Sequence, residues 1–353
     1  MVSINKRLTI LVGAFVVATL GFGAGCHSTA NTSSNDGAAK VSIRFQFPIH
    51  SHAYALKRGA VLYTTPQLTK SVSSKPFQTT TWYRNKVADI TVNGKNVIIY
   101  RLTSANDRHT YWVLHSQIKG ILSKSFNVKL PQAGNRFANK QLGVFGDSIP
   151  SGWDGYHFYL NNSYFDWVAK YLGMNNRVMN YAVPSAKIVG HRFAYVGTKR
   201  VAQDLPVAIK YHEAQIKKMN MIFIHMGTND YTNLSGSGSL QNVTRHLYQD
   251  VKLIKKINPT AHIYGVLPIS RYDELGASRE HMYNQYGYTY GQLRTAEAAV
   301  YRKLGATVIN FQRFAPNIIT AQNKDLTLQD AEIHPTAQTA QKLGYALAKE
   351  LSK

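Results

Sequence analysis

From Lys140 onward the chain alternates short apolar runs with longer amphipathic segments, the pattern of a parallel sheet whose strands are separated by covering helices. Strands are expected at 142–145, 177–181, 221–225, 262–267 and 307–311, and helices at about 163–172, 206–218, 240–257, 288–304 and 335–351. Five strands with intervening helices make a three-layer α/β sandwich over 140–353. The chain has one cysteine, Cys26, so no disulfide can form within it and the fold must rest on its core. With 353 residues and 44% hydrophobic content, that core can be sizeable.

Residues 40–131 follow a different pattern, short β-rich runs at 41–47, 59–63, 79–83, 86–92, 96–102 and 110–114 broken by polar turns. Asn93-Gly94 between two of these runs is a hairpin signal, because a type I′ turn needs positive φ at both central residues. The pattern fits a small all-β barrel. Gly59 to Pro66, Trp82 and Tyr111-Trp112-Val113 together resemble the Src-homology-3-like modules of bacterial cell-wall proteins, which implies a wall-binding role for this part.

The chain carries 41 Lys and Arg against 18 Asp and Glu, a formal charge of +23. Between residues 40 and 130 there are 14 basic residues against Asp89 and Asp107, which leaves +12 on about a quarter of the chain. Such a surface suits an anionic wall polymer such as teichoic acid, held through Lys and Arg contacts to phosphate; the alternative is a solvated basic face. Nucleic acid is disfavoured as a partner by the amino terminus rather than by the charge.

There, Lys6 and Arg7 precede an apolar run from Leu8 to Gly25, which reads as an export signal over 1–26. An uncleaved membrane anchor is the alternative, since the run reaches the lower edge of spanning length. Cys26 follows Gly23-Ala24-Gly25, where a bacterial lipoprotein signal places its lipidated cysteine, although an aliphatic residue is usual at the position of Gly23. An ordinary signal peptide with an incidental cysteine is the competing reading. Residues 27–39 are polar and aperiodic, a flexible tether. The expected location is the outer face of a bacterial cell membrane, lipid-anchored.

Three short motifs carry the chemistry. Gly146-Asp147-Ser148 follows the first strand of the α/β domain, where the carboxyl ends of parallel strands form the ligand crevice. Alone it would equally suit a helix cap. Gly227-Thr228-Asn229-Asp230 follows the third strand and could present the Asn229 amide to the same crevice, as an acyl-transfer enzyme needs for a developing oxyanion. His334-Pro335 opens the last helix with Asp330 and Glu332 close by. A serine hydroxyl is a poor nucleophile until an imidazole accepts its proton, and a carboxylate usually orients that imidazole.

The order Gly-Asp-Ser, Gly-x-Asn-Asp and Asp…His-Pro resembles the SGNH hydrolases, also called GDSL esterases and lipases, over residues 140–353. The resemblance implies a flavodoxin-like sheet, Ser148 as nucleophile, His334 as general base, and an oxyanion hole formed by Asn229 and the backbone N–H groups of Ser148 and Ser185. Ser185, in the segment Asn180 to Lys187, stands where the family has a glycine. The family also has an aspartate three residues before the histidine, where this chain has Ala331. Asp330 is the favoured orienting acid, Glu332 the alternative, and a Ser-His dyad held by a backbone carbonyl the third possibility.

His225 lies in an apolar strand and reads as a core residue. Tyrosines between 283 and 290 could form a carbohydrate-stacking face or simply pack. No metal is expected, since histidines lack ligand spacing, and no nucleotide cofactor, since no Gly-rich phosphate loop follows a strand. The function these readings support is an exported serine esterase acting on O-acyl groups, acetyl among them, of a cell-wall polysaccharide or teichoic acid. A lipase or acyltransferase working on lipids, and a wall-binding protein that has lost turnover, are the competing readings.

Overall fold

The computed structural model describes residues 40–122, 129–159, 161–232 and 236–353. The expected export signal over 1–26, with Cys26, and the expected tether over 27–39 lie outside the described residues. From Lys40 to Lys353 the chain forms one compact unit.

The first part is an antiparallel sheet of eight strands: β1 (Val41–Pro48), β2 (Ala53–Leu56), β3 (Val61–Tyr63), β4 (Ser71–Ser73), β5 (Trp82–Val92), β6 (Lys95–Ser104), β7 (Thr110–Leu114) and β8 (Ile118–Gly120). Their order is β4-β3-β7-β6-β5-β2-β8, with β1 added along β5. As paired among the described residues, these strands make an open curved sheet rather than a closed barrel. The Asn93-Gly94 turn has φ of 49° and 80°, as a type I′ hairpin requires. The runs at 79–83 and 86–92 are one strand, β5, because Asn85 forms a bulge against β6 instead of ending the strand. The bulge lets the start of β5 pair with β2 and its remainder with β1.

The second part is the expected parallel sheet, formed by β9 (Leu142–Gly146), β10 (Met179–Asn180), β13 (Met221–His225), β14 (His262–Val266) and β15 (Thr307–Ile309) in the order β10-β9-β13-β14-β15. An exposed two-stranded hairpin, β11 (Phe193–Val196) with β12 (Lys199–Ala202), interrupts the sequence between β10 and β13. The helices are α1 (Ser148–Ser151), α2 (Tyr164–Leu172), α3 (Leu205–Tyr211), α4 (Glu213–Ile216), α5 (Leu240–Ile257), α6 (Tyr290–Lys303), α7 (Phe311–Phe314), α8 (Lys324–Thr327) and α9 (Ala337–Leu351). The single helix expected over 206–218 is divided between α3 and α4 at His212.

Each strand sends alternate residues to opposite faces, and the helices sort accordingly. Val144, Phe223, Val266 and Ile309 pack against α2 and α9, while Phe145, Ile222, Ile224 and Ile263 pack against α3, α5 and α6. The crossover from β9 through β10 and back to β13 reverses direction between β9 and β13. That reversal opens a crevice beyond their carboxyl ends, the place where open α/β sheets bind ligands.

The β-rich part is not a separate bead. Ala53, Ala55, Tyr83 and Ile121 share one core with α2 and α9. Around this apolar seam, the Tyr83 hydroxyl donates to Gln341, Asn162 donates to the Ile121 carbonyl at 3.0 Å, and the Tyr159 hydroxyl oxygen lies 2.9 Å from the Ser51 carbonyl.

Candidate active site

β9 ends at Gly146, and the chain turns at once into α1. Asp147 caps that helix, its Oδ1 accepting the Ile149 N–H at 3.0 Å. Ser148 is therefore the first helical residue, with an N–H that the helix itself does not use. It is 6% exposed, at the crevice mouth.

His334 arrives on the segment that leads into α9, two residues before that helix's cap. Its Nε2 lies 2.9 Å from Ser148 Oγ, and its Nδ1 lies 2.6 Å from Asp330 Oδ2. Burial works against a charge on Asp330, but the hydrogen bond from His334 and the backbone N–H groups of Ile333 and His334 outweigh it and hold the carboxyl at about 2. Asp330 Oδ1 also accepts the Glu332 N–H. Being ionised at neutral pH, Asp330 can only accept, so Nδ1 carries the imidazole proton and Nε2 is left to accept from Ser148.

Glu332, the alternative acid, is not the partner of His334. Its carbonyl accepts the Tyr272 N–H at 2.9 Å and its N–H points to Asp330. Burial and the neighbouring Asp330 and Glu274 push its carboxyl up, with Arg271 and Arg279 opposing. The departure at Ala331 is absorbed by the backbone, for Ala331 takes φ of 60°, a left-handed turn that brings the acid back to the imidazole.

The turn after β13 carries Asn229. Gly227 has φ of 109°, and a β-carbon there would stand 2.0 Å from a Glu297 carboxylate oxygen, so the position requires glycine. Asn229 Nδ2 donates to the Ala186 carbonyl at 3.1 Å, which leaves its other amide hydrogen for the crevice. Asp230, fully buried, accepts the N–H groups of Ile188 and Val189 at 2.9 and 3.1 Å and the Ser237 hydroxyl. Burial raises its carboxyl to about 6 against these hydrogen bonds.

Asn229 and Asp230 thus tie the third element, the loop after β10, to the second. In that loop Ser185 takes φ of 62°, the left-handed conformation that glycine favours, and is exposed. Its carbonyl accepts from Arg192 at 2.7 Å, and Arg192 is in turn paired with the buried Asp204.

His225 is fully buried, as its strand implies. Its Nδ1 lies 2.7 Å from the Tyr164 hydroxyl, and burial lowers its pKa to about 3. Most of the tyrosine-rich stretch packs behind the site: the Tyr288 hydroxyl donates to the Asp230 carbonyl at 3.0 Å, and that of Tyr290 lies 3.1 Å from Thr228 Oγ1. Tyr283, by contrast, is exposed.

One element at the site had no sequence forecast, the loop from Gly152 to Tyr159. Asp154 is fully buried and organises it by accepting the N–H groups of Tyr156 and His157 and the hydroxyl of Tyr159. This brings Gly155 onto the hydrogen-bonded His334 and Asp330, where a β-carbon would stand 3.4 Å from His334 Nδ1 and 3.5 Å from Asp330 Oδ2. The signal was present as Asp154-Gly155 after Trp153, a turn pair, but nothing in it indicated which residues the turn would cover.

Residues 144–342 match the model of the GDSL-like lipase/acylhydrolase family. No curated protein matches the chain. Among solved structures, a carbohydrate acetylesterase family member from Sinorhizobium meliloti is 16% identical with a TM-score of 0.45, over 60% of this chain and 97% of that one. A Lactobacillus plantarum protein is 19% identical with a TM-score of 0.43, over 61% and 97%. A Bacillus subtilis protein is 15% identical with a TM-score of 0.42, over 87% and 79%.

Proposed function

The chain belongs to the GDSL-like lipase/acylhydrolase family, a family of ester hydrolases, and on that premise we propose that it cleaves O-acyl esters through an acyl-enzyme on Ser148. The observation that carries this reading is the run of hydrogen bonds from Ser148 Oγ to His334 Nε2 and from His334 Nδ1 to Asp330 Oδ2.

The Ser148 oxygen attacks the ester carbonyl carbon as its proton passes to His334 Nε2. The imidazolium that forms is held by the ionised Asp330. Negative charge gathers on the former carbonyl oxygen, where the N–H groups of Ser148 and Ser185 and the Asn229 amide receive it. Collapse of the tetrahedral species breaks the bond to the alcohol oxygen, which leaves with the proton from His334. Water then attacks the acyl-enzyme, losing its proton to His334, and the acid departs as Ser148 is restored.

In this reading the enzyme is exported and works at the cell envelope. The basic amino terminus, the apolar run to Gly25 and Cys26 support export and lipid anchoring, and the +12 charge of residues 40–130 suits an anionic wall polymer. The substrate proposed is an O-acyl group, acetyl foremost, on a wall polysaccharide. Loss of turnover is not favoured, because both departures from the family pattern, Ser185 and Ala331, occur at positive φ within otherwise complete networks.

The test is hydrolysis of chromogenic acetate, butyrate and octanoate esters by the full chain, with Ser148→Ala in parallel. Activity that vanishes in the variant and is highest on acetate is expected. Equal inertness of both proteins on these esters and on O-acetylated wall polysaccharide would end the esterase reading. A preference for octanoate would favour lipids.

A further inference from the structure

The β-rich part meets the loop that covers His334 and Asp330. His50, just after β1, lies against the loop that covers His334 and Asp330, with ring centroids 5.2 Å from Tyr156 and 5.1 Å from His157. The Arg84 Nε donates to the His50 carbonyl at 3.1 Å and fixes this junction. Between the two parts lies a cleft of about 630 Å³ lined by Phe47, Ile49, His50, Arg84, Tyr100 and Gln329, among others. Gln329 is the neighbour of Asp330 and donates its N–H to the His334 carbonyl at 2.7 Å.

Beyond Phe47, at the outer end of the cleft, the exposed face of β1 carries Phe45. Phe47 pairs across the sheet with Val87, and Val87 with Tyr100, so Phe47 and Tyr100 share a face. Phe45 stacks on Phe47 at 5.8 Å with an interplanar angle of 18°, and each ring is 48% exposed. Tyr156, at the inner end, is 55% exposed. The other face of the sheet holds the fully buried Ala88, Ile90 and Ile99, so these rings stand on the face that an antiparallel sheet leaves to solvent, where large aromatic side chains are unusual.

The exposed rings therefore form a series running from the catalytic loop to the sheet edge: Tyr156, His50, Phe47 and Phe45. Arg84 lies over the Tyr54 and Tyr100 rings at 5.7 and 5.4 Å and places a cation in the same cleft. Flat rings interspersed with hydrogen-bonding groups suit pyranose rings, which present C–H faces for stacking and hydroxyl edges for polar contacts. The cleft comes next to the Ser148–His334–Asp330 network through Gln329, whose N–H donates to the His334 carbonyl, so a chain bound along the rings would have neighbouring units running outward from an ester-bearing residue.

We propose that this series is an extended binding subsite for a polysaccharide chain, so that the β-rich part selects acylated polymers over small esters. The inference rests on the esterase reading for its catalytic end, and the cleft names the class of alcohol that carries the ester.

The experiment compares the full chain with the double variant Phe45→Ala/Phe47→Ala and with Phe47→Tyr. Substrates are a chromogenic acetate and two soluble O-acetylated polysaccharides, acetylated xylan and acetylated peptidoglycan glycan strands. Both phenylalanines are half exposed, so the double variant should fold, and its melting temperature checks that. The expected result is unchanged hydrolysis of the small ester and a loss of about tenfold in kcat/KM on a polymer, carried by KM, with Phe47→Tyr retaining the wild-type value.

Binding of the same polymers to Ser148→Ala, with and without the double substitution, reads the subsite without turnover. If the wild type is inert on the small ester, the esterase reading fails, and binding alone then judges the subsite. Equal binding and equal kcat/KM with and without the two rings would overturn the subsite. So would a double variant that loses only its attachment to anionic phospholipid vesicles, which would make the rings a membrane contact.

Discussion

Asp330 stands four residues before His334, yet its Oδ2 reaches Nδ1 at 2.6 Å because Ala331 between them takes a left-handed φ of 60°. A non-glycine residue in that conformation costs roughly 1 kcal/mol relative to glycine. Ala331→Gly is therefore expected to stabilise the fold by about 0.5 to 1 kcal/mol in urea unfolding, with kcat/KM on a chromogenic ester held within about twofold. A marked fall in activity would mean that the alanine methyl, not just the backbone path, positions the acid.

The choice between the two neighbouring carboxylates is tested by removing each. Asp330→Asn leaves the shape but disfavours the imidazole tautomer that can accept from Ser148, so kcat should fall by about 10³ to 10⁴. Glu332→Gln, which changes a side chain outside the Ser148–His334–Asp330 network, should stay within about threefold of wild type. Similar losses in both variants would contradict the assignment of Asp330.

Ser185 makes the same backbone argument at the oxyanion side. Its φ of 62° is what glycine would adopt without strain, and its exposed side chain has room to be lost. Ser185→Gly should raise stability by about 0.5 to 1 kcal/mol and leave turnover nearly unchanged, since the N–H is retained. Loss of more than about tenfold in kcat, measured at saturating ester, would show that the hydroxyl itself takes part.

Legibility in the sequence tracks the physics of burial. β13, sealed on both faces, reads as a continuous apolar run and was located to the residue, as was α5 with its Ser239 cap and wide apolar face. β2, β4 and β8 are three or four residues long and carry too few alternations to register. Arg84 and Asn85 read as a break in β5 when they mark a bulge, because polarity alone does not distinguish the two. The motifs singled out Ser148, Asn229 and His334, and the structure brings Ser148 to His334, but which carboxylate stands beside the imidazole depends on a single backbone rotation at Ala331. The cover supplied by Gly155 depends on the buried Asp154, whose burial no local pattern signals.

Asn229 serves the oxyanion reading only if its amide acts in the transition state more than in the ground state. Asn229→Ala should lower kcat by about 10² to 10³ with a much smaller change in KM. The substitution also releases the hydrogen bond to the Ala186 carbonyl, so a melting curve must accompany the kinetics. A loss confined to KM would instead assign Asn229 to ground-state binding.

The basic protein also buries carboxyls without cations to match them, and at Asp250 this makes stability depend on pH. Asp250 lies on the buried side of α5, its Oδ2 has no hydrogen-bond partner among the described residues, and burial raises its carboxyl to about 8, opposed by Lys210 and assisted by Asp230. In the unfolded chain the same group titrates near 3.8, so between these values the fold holds a proton that the unfolded chain has released. The contribution of the neutral carboxyl is whole below about pH 4 and is lost as pH rises towards 8. Asp250→Asn keeps the shape and removes the titration. Its stability should match wild type near pH 4 and exceed it by on the order of a few kcal/mol at pH 9, read from urea unfolding across that range. A constant difference at all pH values would mean that Asp250 is ionised in the fold and paired by a cation, and that α5 gains stability from its charge.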